Sequence, residues 1–224
     1  MPEGEGWLRP PYDPRVNPIQ KLIPCVCQQE RREELIQKEL LALSGLQGRL
    51  RGWTIEQWWD KYDKEPGRKE AATKMQDIII ENKGGWITLI GEAGTGKSYL
   101  LAAVVNLALS EKKQGLYITW ANLMEHYRRV AVHEVPETRD NFHKRICEVP
   151  VLAVDEYMRQ RETGFALEIE HRVFEQRYIH SDTRATIIAS NIDIKKWPDW
   201  LSSRAKEFAV VRLQGRDLRK AAGE

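Results

Sequence analysis

The sequence predicts an α/β fold, a parallel five-stranded sheet flanked by helices with a small N-terminal helical extension. Three observations carry this. Short apolar, β-prone runs alternate with longer helical stretches from about residue 86 onward. One run leads directly into Gly91-Glu92-Ala93-Gly94-Thr95-Gly96-Lys97-Ser98, which matches G-x-x-x-x-G-K-[ST] at every fixed position. A second run ends in the acidic pair Asp155-Glu156, at the strand end where open α/β sheets bind ligands.

The elements follow in order. Residues 1–24 hold six of the ten prolines and read as an extended arm. Residues 28–44 read as a charged helix with Leu35, Ile36, Leu40 and Leu43 on one side and Gly45 as its stop. That helix either packs on its own domain or docks on a partner. The expected boundary places an arm and docking helix at 1–50 and the main domain at 51–224. Thr54 and Gln57 make a capping box for a short helix carrying Trp58 and Trp59. A longer helix is expected over 68–82, closed by Gly84 and Gly85. Strands are expected at 86–90, 116–120, 149–154, 185–190 and 208–213, and helices at 99–109, 122–130, 164–180 and 198–206. The eight tryptophans read as packing residues.

Composition narrows the classes. With 35 Lys and Arg against 33 Asp and Glu, the formal charge of +2 points to no nucleic-acid role by itself; a DNA site would have to be a local patch. No apolar run is long enough to span a bilayer, and residues 1–11 carry no signal-peptide core. The expected compartment is therefore the cytoplasm, with the three cysteines reduced. Cys25 and Cys27 have no second ligand pair nearby and read as plain thiols rather than a zinc site.

The glycine loop carries the main chemistry. Backbone N–H groups of residues 91–98 would close around phosphate oxygens, with the positive end of the following helix behind them. Lys97 would reach the β- and γ-phosphates of ATP, and the Ser98 hydroxyl would hold Mg²⁺. Asp155 would hold the same ion through water, and Glu156 would act as general base on the attacking water. Asn191, at the tip of the next strand, would orient that water.

These motifs in this order resemble the AAA+ ATPases. Finer detail resembles the DnaC-type replicative helicase loaders and the related IstB transposition ATPases. It lies in Leu43-Ser44-Gly45-Leu46 through Gln57-Trp58, Trp120-Ala121-Asn122-Leu123, Glu175-Gln176-Arg177-Tyr178 and Ile187-Ile188-Ala189-Ser190-Asn191. Ser202-Ser203-Arg204 and the stretch from Val211 to Arg219 extend it. The resemblance implies that Arg204 is an arginine finger acting on ATP bound by a neighbouring subunit of a homo-oligomer. It implies a further C-terminal arginine, Arg219 with Arg216 as rival; the few residues after Arg219 leave no room for the helical lid that many AAA+ proteins carry, and that expected absence fits the loader and IstB group.

The function expected is a helicase loader that binds a DnaB-type helicase and single-stranded DNA, with ATP as the switch. Candidate DNA contacts are Arg128, Arg129, Lys144, Arg145, Arg159 and Arg161. An IstB-like regulator of a transposase is the nearest alternative. A P-loop kinase is disfavoured by Glu156, Asn191 and Arg204, because a kinase passes its phosphoryl group to a substrate hydroxyl and needs no base for water. A nucleotide-gated adaptor with negligible hydrolysis lacks none of these motifs either.

Overall fold

The computed structural model describes residues 7–8, 23–24, 34, 38, 41–62, 68–131, 138–158 and 163–215. The chain divides into two compact units, Met1–Glu39 and Leu40–Glu224. In the first, Trp7–Leu8 pairs antiparallel with Ile23–Pro24; Cys25 and Cys27 lie outside the described residues.

The second unit holds helices α1 (Ile55–Tyr62) and α2 (Arg68–Ile80), strand β1 (Gly85–Gly91), α3 (Lys97–Ser110), β2 (Gly115–Thr119) and α4 (Trp120–Ala131). Then come α5 (Arg139–Glu148), β3 (Val151–Asp155), α6 (Gly164–Ile179), β4 (Ala185–Ser190), α7 (Asp199–Glu207) and β5 (Ala209–Leu213). The five strands form one sheet in the order β2-β3-β4-β1-β5, and every pairing is parallel. The expected strands and helices from residue 55 onward are present, with no end displaced by more than two residues, whereas most of the helix expected over 28–44 lies outside the described residues. The helix α5 is additional.

The sheet is covered on both faces, so β3 and β4 are buried along their whole length. On one face Ile87, Leu89 and Ile187 pack against Leu100, Leu101 and Val104 of α3 and Met75 and Ile79 of α2, with Leu46 and Trp58 in the same cluster. On the other face Trp86 and Ile188 pack with Trp120, Tyr127, Phe142, Phe174 and Trp197. Trp58, Trp86, Trp120 and Trp197 are therefore core residues.

The capping box forms as the sequence implies: Gln57 N donates to Thr54 Oγ1 at 3.2 Å and Thr54 N to Gln57 Oε1 at 3.1 Å. Ahead of it, Leu41–Leu43 are helical and Gly45 follows at φ 72°. The segment between is strapped to α3, since Asn106 Nδ2 donates to Leu50 O at 3.0 Å and Trp53 O at 2.9 Å.

At the sheet's opposite end a single buried side chain gathers several elements. Arg177 of α6 donates to Ile146 O and Cys147 O in the last turn of α5, to Val149 O just after it, and to Ala185 O and Thr186 Oγ1 of β4, over 2.6–3.1 Å. Full burial draws its pKa down to about 9. The carbonyls at the C-terminal end of α5 suit a cation because the helix dipole is negative there.

Candidate nucleotide site

The phosphate loop begins where β1 ends. Gly91 is confined between strands, because a Cβ there would stand 2.4 Å from Leu213 O. Gly94 and Gly96 have φ of 79° and 92°, values that L side chains rarely adopt, and Gly96 caps α3. Lys97 opens that helix almost buried, and its ammonium donates to Gly91 O and Glu92 O, each at 2.7 Å. Thr95 Oγ1 donates to Glu92 O at 2.8 Å and closes the loop on itself. From outside the loop, the buried Trp58 indole donates to Gly96 O at 2.9 Å.

The acidic pair stands at the same edge of the sheet, at the end of β3. With β4 between β3 and β1, the pair and the loop are two strand spacings apart, roughly 10 Å, which leaves room for a terminal phosphate and a water. Asp155 is buried; its Oδ1 accepts from Glu156 N at 2.8 Å and its Oδ2 from the Tyr117 hydroxyl at 2.7 Å. Burial first, and the Asp155 charge second, push the Tyr117 phenol far above its ordinary pKa, so it stays a donor.

Glu156 has φ 54° and Met158 φ 59°, a left-handed backbone just past the strand. This bend is pinned to β4: Tyr157 N donates to Ala189 O at 2.9 Å and Ser190 Oγ to Tyr157 O at 2.7 Å. Ile192 N then donates to Ser190 Oγ at 3.0 Å, which brackets the exposed Asn191 between two fixed neighbours. Asn191 shares a cleft of about 460 Å³ with Gly91, Glu92, Thr95, Asp193 and Arg212. Asp193 and Arg212 pair there at 2.7 Å, which holds the Asp193 carboxyl down at about 2.

Arg204 is not at this edge. Its guanidinium lies 4.7 Å from the Tyr178 ring and 5.4 Å from the Trp200 ring, and it pairs with Glu175. Tyr178 touches Trp86 at the start of β1, whereas the loop follows Gly91 at its end. At 3.3 Å per residue this is a separation of roughly 16 Å along the strand.

Hard oxygen donors at Ser98 and a buried carboxylate at Asp155 are a donor set that fits Mg²⁺. Among the described residues no group of three or more His, Cys, Asp and Glu could hold another metal. Arg216 and Arg219 lie outside the described residues, as do Arg159 and Arg161. Arg129 and Arg145 line one groove with His126 and Phe142, Arg128 is exposed nearby on α4, and Lys144 faces a different groove with His143 and His171.

The family described as IstB-like ATP binding protein matches residues 64–212, from just before α2 to the last strand. The chain belongs to this family. One relative in sequence is the replicative helicase loader DnaC of Buchnera aphidicola subsp. Schizaphis graminum, 25% identical over 167 residues, covering 75% of this chain and 67% of that protein. The crystal structure of the DnaC helicase loader superposes with a TM-score of 0.61 at 17% identity, over 75% of this chain and 100% of that one. AMPPCP-bound DnaA from Aquifex aeolicus gives 0.63 at 20% identity over 75% of this chain, which spans only about half, 52%, of the DnaA chain. These likenesses place the IstB-like unit in the AAA+ P-loop fold.

Two site residues escape the sequence motifs. Tyr117 reads as an ordinary strand tyrosine and Trp58 as an ordinary core tryptophan; the first approaches Asp155 only through strand register, and the second approaches Gly96 only through helix packing. Among the described residues no helix is long and apolar enough to cross a membrane.

Proposed function

We propose that this chain is an ATP-dependent helicase loader: it binds ATP–Mg²⁺ at residues 91–98 and Asp155, hydrolyses it to ADP and phosphate, and uses the change to hold or release a DnaB-type helicase beside single-stranded DNA in the cytoplasm. The observation that carries the hydrolytic part is the split arrangement. The loop, Asp155, Glu156 and Asn191 share one edge of the sheet, while Arg204 is held at the far end by Glu175, Tyr178 and Trp200. Such a finger completes a site only in a second copy of the chain, so the active form is a homo-oligomer.

The chemistry then divides among the residues. Backbone N–H groups and Lys97 bind phosphate oxygens. Glu156, its backbone pinned through Tyr157 and Ser190, takes the proton of the attacking water, which Asn191 orients. Bound magnesium supplies charge neutralisation on the β- and γ-oxygens. Arg219, with Arg216 as its rival, meets the bound nucleotide as the C-terminal arginine.

Likeness to DnaC proteins supports the helicase partner. The family match favours a second reading, a regulator of a transposase acting on duplex DNA. Affinity capture with the full chain decides between them, using the host's replicative helicase and a transposase as separate baits. Helicase capture that responds to ATP is the expected result; capture of the transposase alone gives the second reading. A chain starting at Leu40 keeps the second unit entire, including the core residue Leu46, and tests whether residues 1–39 carry the helicase contact. Single-strand binding should weaken steeply with salt, since each neutralised phosphate releases counterions.

A further inference from the structure

One phenolic hydroxyl is bonded to the carboxylate given to magnesium. The Tyr117 hydroxyl donates to Asp155 Oδ2 at 2.7 Å. Nothing in the glycine-loop or acidic-strand motifs asks for a tyrosine here. It comes from β2, the outer strand of the sheet, and reaches Asp155 diagonally: Tyr117 stands opposite Ala153, and Asp155 is two residues further along β3.

The backbone of Tyr117 is fixed from both sides. On one side it stands in register with β3. On the other its N–H donates to Ser44 O at 2.7 Å. The next residue, Gly45, has φ 72°, and a Cβ there would stand 2.2 Å from Tyr117 O, so only glycine lets the segment lie this close. Carboxylate oxygens each offer two lone pairs. Tyr117 occupies one on Oδ2 and Glu156 N one on Oδ1, which stops rotation of the carboxylate and leaves a lone pair on each oxygen.

The geometry points to Tyr117 as a positioning residue: it orients Asp155 toward magnesium and is itself held in place by the Ser44–Gly45 peptide. This rests on the reading of Ser98 and Asp155 as the magnesium-holding pair. Groups that fix a metal ligand's orientation commonly contribute tenfold or more to metal affinity.

The test is Tyr117→Phe in the full chain, which keeps the ring and the ladder and removes one hydroxyl. Affinity for a fluorescent ADP analogue is measured in EDTA and then along a MgCl₂ titration. The expected result is EDTA affinity within about twofold of wild type and a magnesium midpoint raised about tenfold. A thermal melt without nucleotide checks that the fold is intact. Asp155→Asn serves as reference and should lose the magnesium response. An unchanged midpoint in Tyr117→Phe, with Asp155→Asn impaired, overturns the role of Tyr117 alone. If wild type shows no magnesium response, and Asp155→Asn equals it, the magnesium site itself is wrong and the proposal falls with it.

Discussion

The Trp58 indole N–H meets the Gly96 carbonyl at 2.9 Å, so a helix ahead of the sheet holds the residue that caps the phosphate-loop helix. Gly96 O also accepts from Leu100 N at 3.0 Å, so the carbonyl keeps one partner if the indole is lost. Trp58→Phe should therefore fold, at a cost of about 1–3 kcal/mol for the lost bond and the space left. Nucleotide affinity should fall several-fold, read by titration with a fluorescent ADP analogue. Unchanged affinity alongside lowered stability would make the contact purely structural.

Lys97 and Glu156 should separate binding from chemistry. Lys97→Ala removes the cation proposed to meet the β- and γ-phosphates and should abolish or greatly weaken ATP binding. Glu156→Gln should bind ATP and stall, with turnover lower by about 10²–10⁴-fold, since an amide is no base. Turnover equal to wild type in Glu156→Gln would remove it from the mechanism.

Arg204 should act across subunits. Arg204→Ala should bind nucleotide near normally and hydrolyse about 10³-fold more slowly or worse. Mixing Arg204→Ala with Lys97→Ala should restore part of the activity, because some interfaces then join an intact loop to an intact finger. Mixtures that co-assemble and remain dead would place the arginine's role elsewhere.

Acid should weaken the fold through His143. Burial foremost, and then Arg172 and Arg139, hold its pKa below the ordinary 6.5, while Asp140 opposes them. The unfolded chain therefore binds the extra proton first. Stability from this group is full above about pH 6.5 and falls as pH drops through 6.5 toward the folded value. His143→Gln should flatten that part of the urea-midpoint profile between pH 7 and 5; an unaltered slope would assign the acid sensitivity to other groups.

The strand that leads into Gly91 and the one that ends in Asp155 were legible because parallel strands covered on both faces must be apolar throughout, and runs such as Val151–Asp155 announce themselves. The loop was legible because its glycines and Lys97 are local in sequence. Helix α5 was not: Phe142, Ile146 and Cys147 are its only buried residues, and its clearest mark is Thr138, whose hydroxyl accepts from Asn141 N at 3.2 Å. Tyr117 was hidden for a different reason. Its bond to Asp155 depends on how β2 registers against β3, which no single strand encodes.

Arg177 places a demand on the order in which the chain assembles. Its five acceptors come from the end of α5, the approach to β3, and the start of β4. No one of these segments can satisfy the guanidinium alone, and withdrawing it from water early would be unfavourable. The side chain is thus a late clasp, closed after the sheet has formed and released before the sheet can part. Arg177→Met should lengthen the folding time little and shorten the native lifetime much, an asymmetry that the two arms of a denaturant chevron would display.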